Sequence, residues 1–308
     1  MLDKLPLEVL ARIGTLGRWD SETFLALSQV SKKYRQMLQG LRPYAERFKL
    51  GSDENEMNAD MASTETIARQ WFTNWETCNP QVAQRVGPIA FCLTVSGNVG
   101  GITNEEVPAL AGVHSLRLFR CSGITDVSAL GGVHNLTLYC CHGITDVSTL
   151  GGVHNLSLHC CNGITDVSAL GGVRNLSLHE CDRIKDVSAL GGVYNLSLGC
   201  CSGITDVSAL GGVYNLTLGG CDEITDVSAL GGVYNLRLEV CDGITDVSAL
   251  GGVHKLTVRG CHGITDVSAL KGVYNLILEE CNRITDVSAL GGVHTLSLGA
   301  MGSRTCQP

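Results

Sequence analysis

The 308-residue sequence has no excess of basic charge: 22 Lys and Arg stand against 30 Asp and Glu, a formal net charge of -8. Nucleic-acid binding needs a basic footprint, so that class of partner is not expected. There is no run of 18 apolar residues, so no membrane span is expected either. Met1–Gly14 carries Asp3, Lys4 and Glu8 and lacks the apolar stretch of a signal peptide. No nucleophile–base pair, phosphate loop or closed metal site is visible, so neither catalysis, a cofactor nor a metal is assigned. The expectation is a cytoplasmic, non-enzymatic protein with reduced thiols.

In abundance are 38 glycines and 15 cysteines, and both have a common origin. From residue 113 the chain copies itself every 20 residues. One unit reads Val153-His154-Asn155-Leu156-Ser157-Leu158-His159-Cys160-Cys161-Asn162-Gly163-Ile164-Thr165-Asp166-Val167-Ser168-Ala169-Leu170-Gly171-Gly172. Nine full units and a shortened tenth follow one another, and a fixed period this short signals a solenoid. Leu-x-Leu alternates with period two, as in a short strand buried on one face. Gly-Gly and Thr-Asp mark turns. Each coil should hold one strand and return through a tight, non-helical arc, with strands stacked in parallel at about 4.8 Å. One coil cannot stand alone. Its six aliphatic side chains offer roughly 9–18 kcal/mol on full burial, whereas ordering 20 residues costs about 1–2 kcal/mol each in the backbone. Stacking closes the gap.

In a stack, every column of the repeat becomes a ladder. Cys121, Cys141 and their successors to Cys281 form one inward row without CxxC pairs, and are expected to act as small buried hydrophobes whose S–H donates weakly to a loop carbonyl. Cys140, Cys160 and Cys200 fall beside this row, nearer solvent, and are the expected oxidation or alkylation sites. Asp126 and its eight successors to Asp286 precede Val-Ser-Ala or Val-Ser-Thr. Each should accept a backbone N–H two or three residues on; one carboxylate per coil is too few for calcium. Asn135, Asn155, Asn175, Asn195, Asn215, Asn235 and Asn275 should form an amide ladder. The column from His114 to His294, mostly His and Tyr with Arg174, should pack ring on ring.

Exceptions to the repeat carry its individuality. Arg117, Phe119, Arg120, Tyr139, His159, His179, Glu180, Arg237, Glu239, Arg259, Glu279 and Glu280 flank the second strand leucine and are the candidate target-binding residues. Arg and aromatics at one end are residue types enriched at binding hot spots.

Leu156-x-Leu158-x-x-Cys161-x-x-Ile164-Thr165-Asp166 resembles the cysteine-containing constant segment of leucine-rich repeats, and Val-Ser-Ala-Leu-Gly-Gly resembles the return arc of internalin-like repeats. Leu93-x-Val95, Ile102, Val107 and Leu110 look like a degenerate first coil. The front of the chain differs. Leu5-Pro6-x-Glu8-Val9-Leu10-x-x-Ile13 and Phe24-Leu25-x-Leu27-x-x-Val30-Ser31-Lys32-x-Tyr34-Arg35 resemble an F-box, with Gly14 where that family usually has Phe. The resemblance implies that Leu5, Pro6, Val9, Leu10, Ile13, Phe24, Leu25, Val30 and Tyr34 face the Skp-type adaptor of a cullin ubiquitin ligase, while the repeats hold a target protein. The alternative is a ligase-independent interaction scaffold.

The expected fold is therefore α+β: a helical F-box-like module over 1–50, a linker and helical joint over 51–92 with a helix over 59–78, a degenerate repeat over 93–112, leucine-rich repeats over 113–300 and a tail over 301–308.

Overall fold

The computed structural model describes residues 75–77, 92–97 and 102–299. The helical module expected over 1–50, with all nine adaptor-facing candidates, lies outside the described residues, as do the linker and the tail.

Among the described residues, twelve short strands form one parallel sheet in strict chain order. They are β1 (Trp75–Thr77), β2 (Cys92–Ser96), β3 (Ser115–Phe119), β4 (Asn135–Tyr139), β5 (Asn155–His159) and β6 (Asn175–His179). The series continues with β7 (Asn195–Gly199), β8 (Asn215–Gly219), β9 (Asn235–Glu239), β10 (Lys255–Arg259), β11 (Asn275–Glu279) and β12 (Thr295–Leu298). From β3 onward every residue pairs with the one 20 positions later, as Leu156 with Leu176 and Leu158 with Leu178. The sequence period is thus the sheet register.

One expectation is corrected at the front edge. Trp75–Thr77, placed at the end of a helix over 59–78, is a strand pairing with Leu93–Val95. The edge of β2 offers a row of backbone N–H and C=O groups, which a parallel strand satisfies and a helix does not. The degenerate coil does stack on the array: β2 pairs with β3, and Leu93, Val95, Ile102, Val107 and Leu110 are buried.

The return arc also differs from the non-helical expectation. It contains a single 3-10 turn, Ser168–Gly172 in the unit quoted above. Leu170 N–H donates to Val167 O at 2.9 Å and Val173 N–H to Leu170 O at 3.0 Å, bonds that tighten the chain to three residues per turn. A compact turn is what fits between strand and strand in 20 residues, where a full α-helix would not. In the inner coils the first glycine of the pair permits the next coil to approach: a Cβ on Gly171 would lie 2.4 Å from the carbonyl oxygen of Ala189.

Seven columns fill the interior. In one coil they are Val173, Leu176, Leu178, Cys181, Ile184, Val187 and Leu190, all essentially inaccessible. The core is a continuous rod to which each coil adds one layer, so the strand residues pointing the other way are committed to solvent.

Candidate functional site: the outer face of the sheet

Strand alternation sends three residues of each five-residue strand outward, the columns that contain Ser115, Arg117 and Phe119. At the edge that begins each strand, Asn135 donates to Ser115 Oγ at 2.6 Å, and Asn155, Asn175, Asn195 and Asn215 each donate Nδ2 to the preceding asparagine's Oδ1. The expected amide ladder is present. It stops where Lys255 takes the asparagine position: Asn235 Nδ2 donates to Asn215 at 3.1 Å, but Asn235 Oδ1 is buried without a hydrogen-bond partner.

Beside it runs the ring column. His114 stacks on His134 at 4.6 Å, and Tyr194, Tyr214, Tyr234, His254, Tyr274 and His294 stack in succession at 4.3–4.8 Å. Arg174 joins this second stack, its guanidinium 4.7 Å from the Tyr194 ring. Each such contact contributes about 0.5–1.5 kcal/mol beyond area burial, which supports the packing reading of this column.

On the floor between the edges, Ser157, Ser177, Ser197 and Thr217 line a shallow trough of about 200 Å³ together with Asn175, Asn195 and Asn215. The far edge is where the units differ. Phe119, Tyr139, His159 and His179 form a second ladder at 4.7, 5.9 and 5.6 Å. Burial, then the neighbouring His179, lowers the pKa of His159. Arg120 lies over the Phe119 ring at 5.1 Å. The ladder ends at Gly199 and Gly219. A Cβ on Gly199 would sit 2.5 Å from the His179 ring, so this glycine is what allows the last imidazole to lie down over the next coil. Beyond the gap, Arg237 meets Glu239 at 3.4 Å, and Arg259 meets Glu280 at 3.3 Å and Glu279 at 4.0 Å. The candidate target-binding residues therefore share one face, Arg117 and Arg237 on its floor and the others along its far edge. They divide into a stacked aromatic half with Arg117 and Arg120 and a half whose arginines are already paired with carboxylates.

Arg120, Glu180 and Glu280 are not strand residues, contrary to their sequence-based placement. They occupy the corner after the strand, where φ is +55°, +52° and +56°. Sequence reasoning missed that corner because only Gly220 and Gly260 advertise a left-handed backbone there.

The remaining ladders are structural. Cys161 Sγ donates to Leu138 O at 3.5 Å and Cys181 Sγ to Leu158 O at 3.5 Å, reaching strand carbonyls of the previous coil rather than loop carbonyls. Burial pushes the thiols of Cys161, Cys181, Cys201 and Cys221 up, to about 12 for the first and about 11 for the others, so they remain protonated. Each of the nine aspartates accepts the N–H of the serine two residues on at 2.8 Å, as Asp166 does from Ser168, and this bond lowers its pKa.

A parallel sheet of short strands, one per coil, with a leucine core, a cysteine ladder and tight 3-10 returns defines a solenoid of leucine-rich-repeat type. No family model matches the chain, and no curated protein matches it in sequence. Among solved structures it is similar to an internalin (inlF) from Listeria monocytogenes str. 4b F2365, with 19% identity over 71% of this chain and 83% of that one and a TM-score of 0.43. It is also similar to internalin C2 (inlC2) of the same strain, at 21% identity, 70% and 83% coverage and a TM-score of 0.34. A third is the functional domain of InlJ from Listeria monocytogenes, which includes a cysteine ladder, at 18% identity, 64% and 57% coverage and a TM-score of 0.31.

Proposed function

We propose that the array is a protein-interaction scaffold whose partner lies across the outer face of the sheet, centred on the aromatic half. The observation that carries this reading is where the units vary. The inward columns repeat almost without change, whereas Phe119, Tyr139, His159, His179, Gly199, Gly219 and Glu239 succeed one another in a single outward column. Stacked rings offer rigid apolar area at little entropic cost. Arg117 and Arg120 have no carboxylate partner among the described residues, so an acidic partner segment suits this half; Arg237 and Arg259 are already neutralised. The role is binding rather than catalysis, and we place it in the cytoplasm.

The test is partner capture compared between variants. A Phe119→Ala/Tyr139→Ala double variant should keep its thermal unfolding cooperative yet lose the proteins that wild type captures. Removing two such anchors should weaken binding by about 2 kcal/mol or more. A Thr205→Ala/Thr225→Ala variant on the return side should capture them normally. Equal capture by the first variant contradicts the reading.

A second reading adds ligase recruitment. It is favoured by the F-box-like spacing of Leu5, Pro6, Val9, Leu10 and Ile13 and of Phe24, Leu25, Val30 and Tyr34. In this reading a Skp-type adaptor and its cullin bind the front of the chain, and the captured protein is a ubiquitination target. Wild type should then pull down the adaptor, and a Leu10→Asp/Ile13→Asp variant should not. A wild-type chain that fails to bind the adaptor ends the ligase reading and leaves the scaffold intact.

A further inference from the structure

We propose that Cys140 and Cys160 form a redox-active dithiol, two thiols of adjacent coils that close to a disulfide by exchange with a small-molecule disulfide and reopen with a thiol.

The two residues occupy equivalent places in neighbouring coils. Both sit at the left-handed corner, with φ of +52° and +51°. Cys140 N–H donates to His159 O at 2.8 Å and Cys160 N–H to His179 O at 2.8 Å, which locks the corners in the sheet register. Identical backbone conformations one coil apart put the Cα atoms about 4.8 Å apart, inside the roughly 4.4–6.8 Å that a disulfide bridges. Side chains at this corner lean toward the following coil. Cys160 Sγ donates to Glu180 Oε2 at 2.9 Å, and Cys200 Sγ lies 2.9 Å from where a Cβ on Gly220 would be. Leaning the same way, Cys140 is directed at Cys160, its equivalent one coil on.

Access separates this pair from the other neighbouring thiols. The core-ladder cysteines are buried, whereas Cys140 and Cys160 are half-exposed. Cys200 is exposed too, but the next residue in its column is Gly220, so it has no cross-coil thiol in reach. It serves as an internal comparison.

The order of attack follows from Glu180. Its carboxylate accepts the Cys160 S–H and holds that thiol protonated, pushed up to about 12. Cys140 therefore attacks first: its thiolate displaces one thiolate from the external disulfide and forms a mixed disulfide. Cys160 then gives up its proton and attacks the Cys140 sulfur, expelling the second thiolate. Two protein thiols are oxidised, and one external disulfide is reduced to two thiols. In a reducing compartment the pair stays open, and an oxidising shift staples two coils beside Tyr139 and His159.

The test is titration of the reduced full chain with oxidised glutathione, followed by site-resolved mass spectrometry. Wild type should lose two hydrogens within one chain and show a Cys140–Cys160 link, while Cys200 acquires a glutathione adduct. Cys140→Ser and Cys160→Ser should each abolish the link and retain the adduct at Cys200. Glu180→Gln should close the link several-fold faster at neutral pH. Separate glutathione adducts on Cys140 and Cys160, a link between chains, or a link that survives Cys140→Ser would overturn the proposal.

Discussion

Among the described residues, seven other than glycine sit at positive φ in one column: Arg120, Cys140, Cys160, Glu180, Cys200, Val240 and Glu280. A left-handed conformation costs an L-residue about 1–2 kcal/mol, and branching at Cβ makes Val240 the poorest occupant. Gly220 and Gly260 on either side show that this corner accepts glycine. Val240→Gly should therefore raise stability by about 0.5–1 kcal/mol, after allowing for the greater freedom glycine has when unfolded; a denaturant midpoint shifted upward is the readout. The asparagine ladder holds a second local conflict, the buried and unpartnered Oδ1 of Asn235. Lys255→Asn would supply the missing donor and should stabilise by about 1 kcal/mol in thermal unfolding. The aspartates set the acid limit. Their folded pKa values lie below the usual 3.8 because each carboxylate accepts a serine N–H, so their contribution is complete above that value and is lost as pH falls through the lowered one. His159, whose pKa is depressed from 6.5 by burial, acts in the same direction in a higher window, with stability declining once pH drops below 6.5. Melting temperature against pH should thus fall in two stages on acidification and show no loss from these groups toward neutral pH.

At the scale of the element, the coil is the unit of packing, and most of it is legible in the sequence. Leu-x-Leu marks the strand, Cys and Ile mark the inward turn, and Thr-Asp-Val-Ser marks the capped entry to the return, because each is dictated by burial or by a local hydrogen bond. The 3-10 turn and the left-handed corner are harder to read. The turn depends on i to i+3 bonds that Ser-Ala-Leu-Gly-Gly does not announce, and the corner is imposed by closure of the coil on residues as unlike as Arg120 and Val240. Trp75–Thr77 illustrates a different limit: its strand form is set by an edge to be paired, not by its own periodicity. Since every interior layer touches two others, Leu198→Ala in the middle of the rod should lower stability by about 2–5 kcal/mol, measured by chemical denaturation.

For the molecule as a whole, repetition divides labour between the two sides of the sheet. Nearly invariant inward columns maintain one register over successive coils, and this releases the outward columns to vary. The aromatic half, the glycine gap and the ion-paired half are variations of that kind. Candidate residues were readable as exceptions to the repeat, but their grouping was not: the stack from Phe119 to His179 and the pairing of Arg259 with Glu280 arise only when residues of successive coils become neighbours. The sequence charge of -8 likewise says little about the face, because nine of the acidic residues are turn-capping aspartates on the return side.

The central claim is that the partner sits on the outward sheet face. Site-specific photocrosslinking tests it most directly, with a photoreactive phenylalanine analogue placed either at Tyr139 or at Thr225 on the return side. Partner adducts are expected from position 139 and none from position 225. Adducts from position 225, with none from position 139, would contradict it.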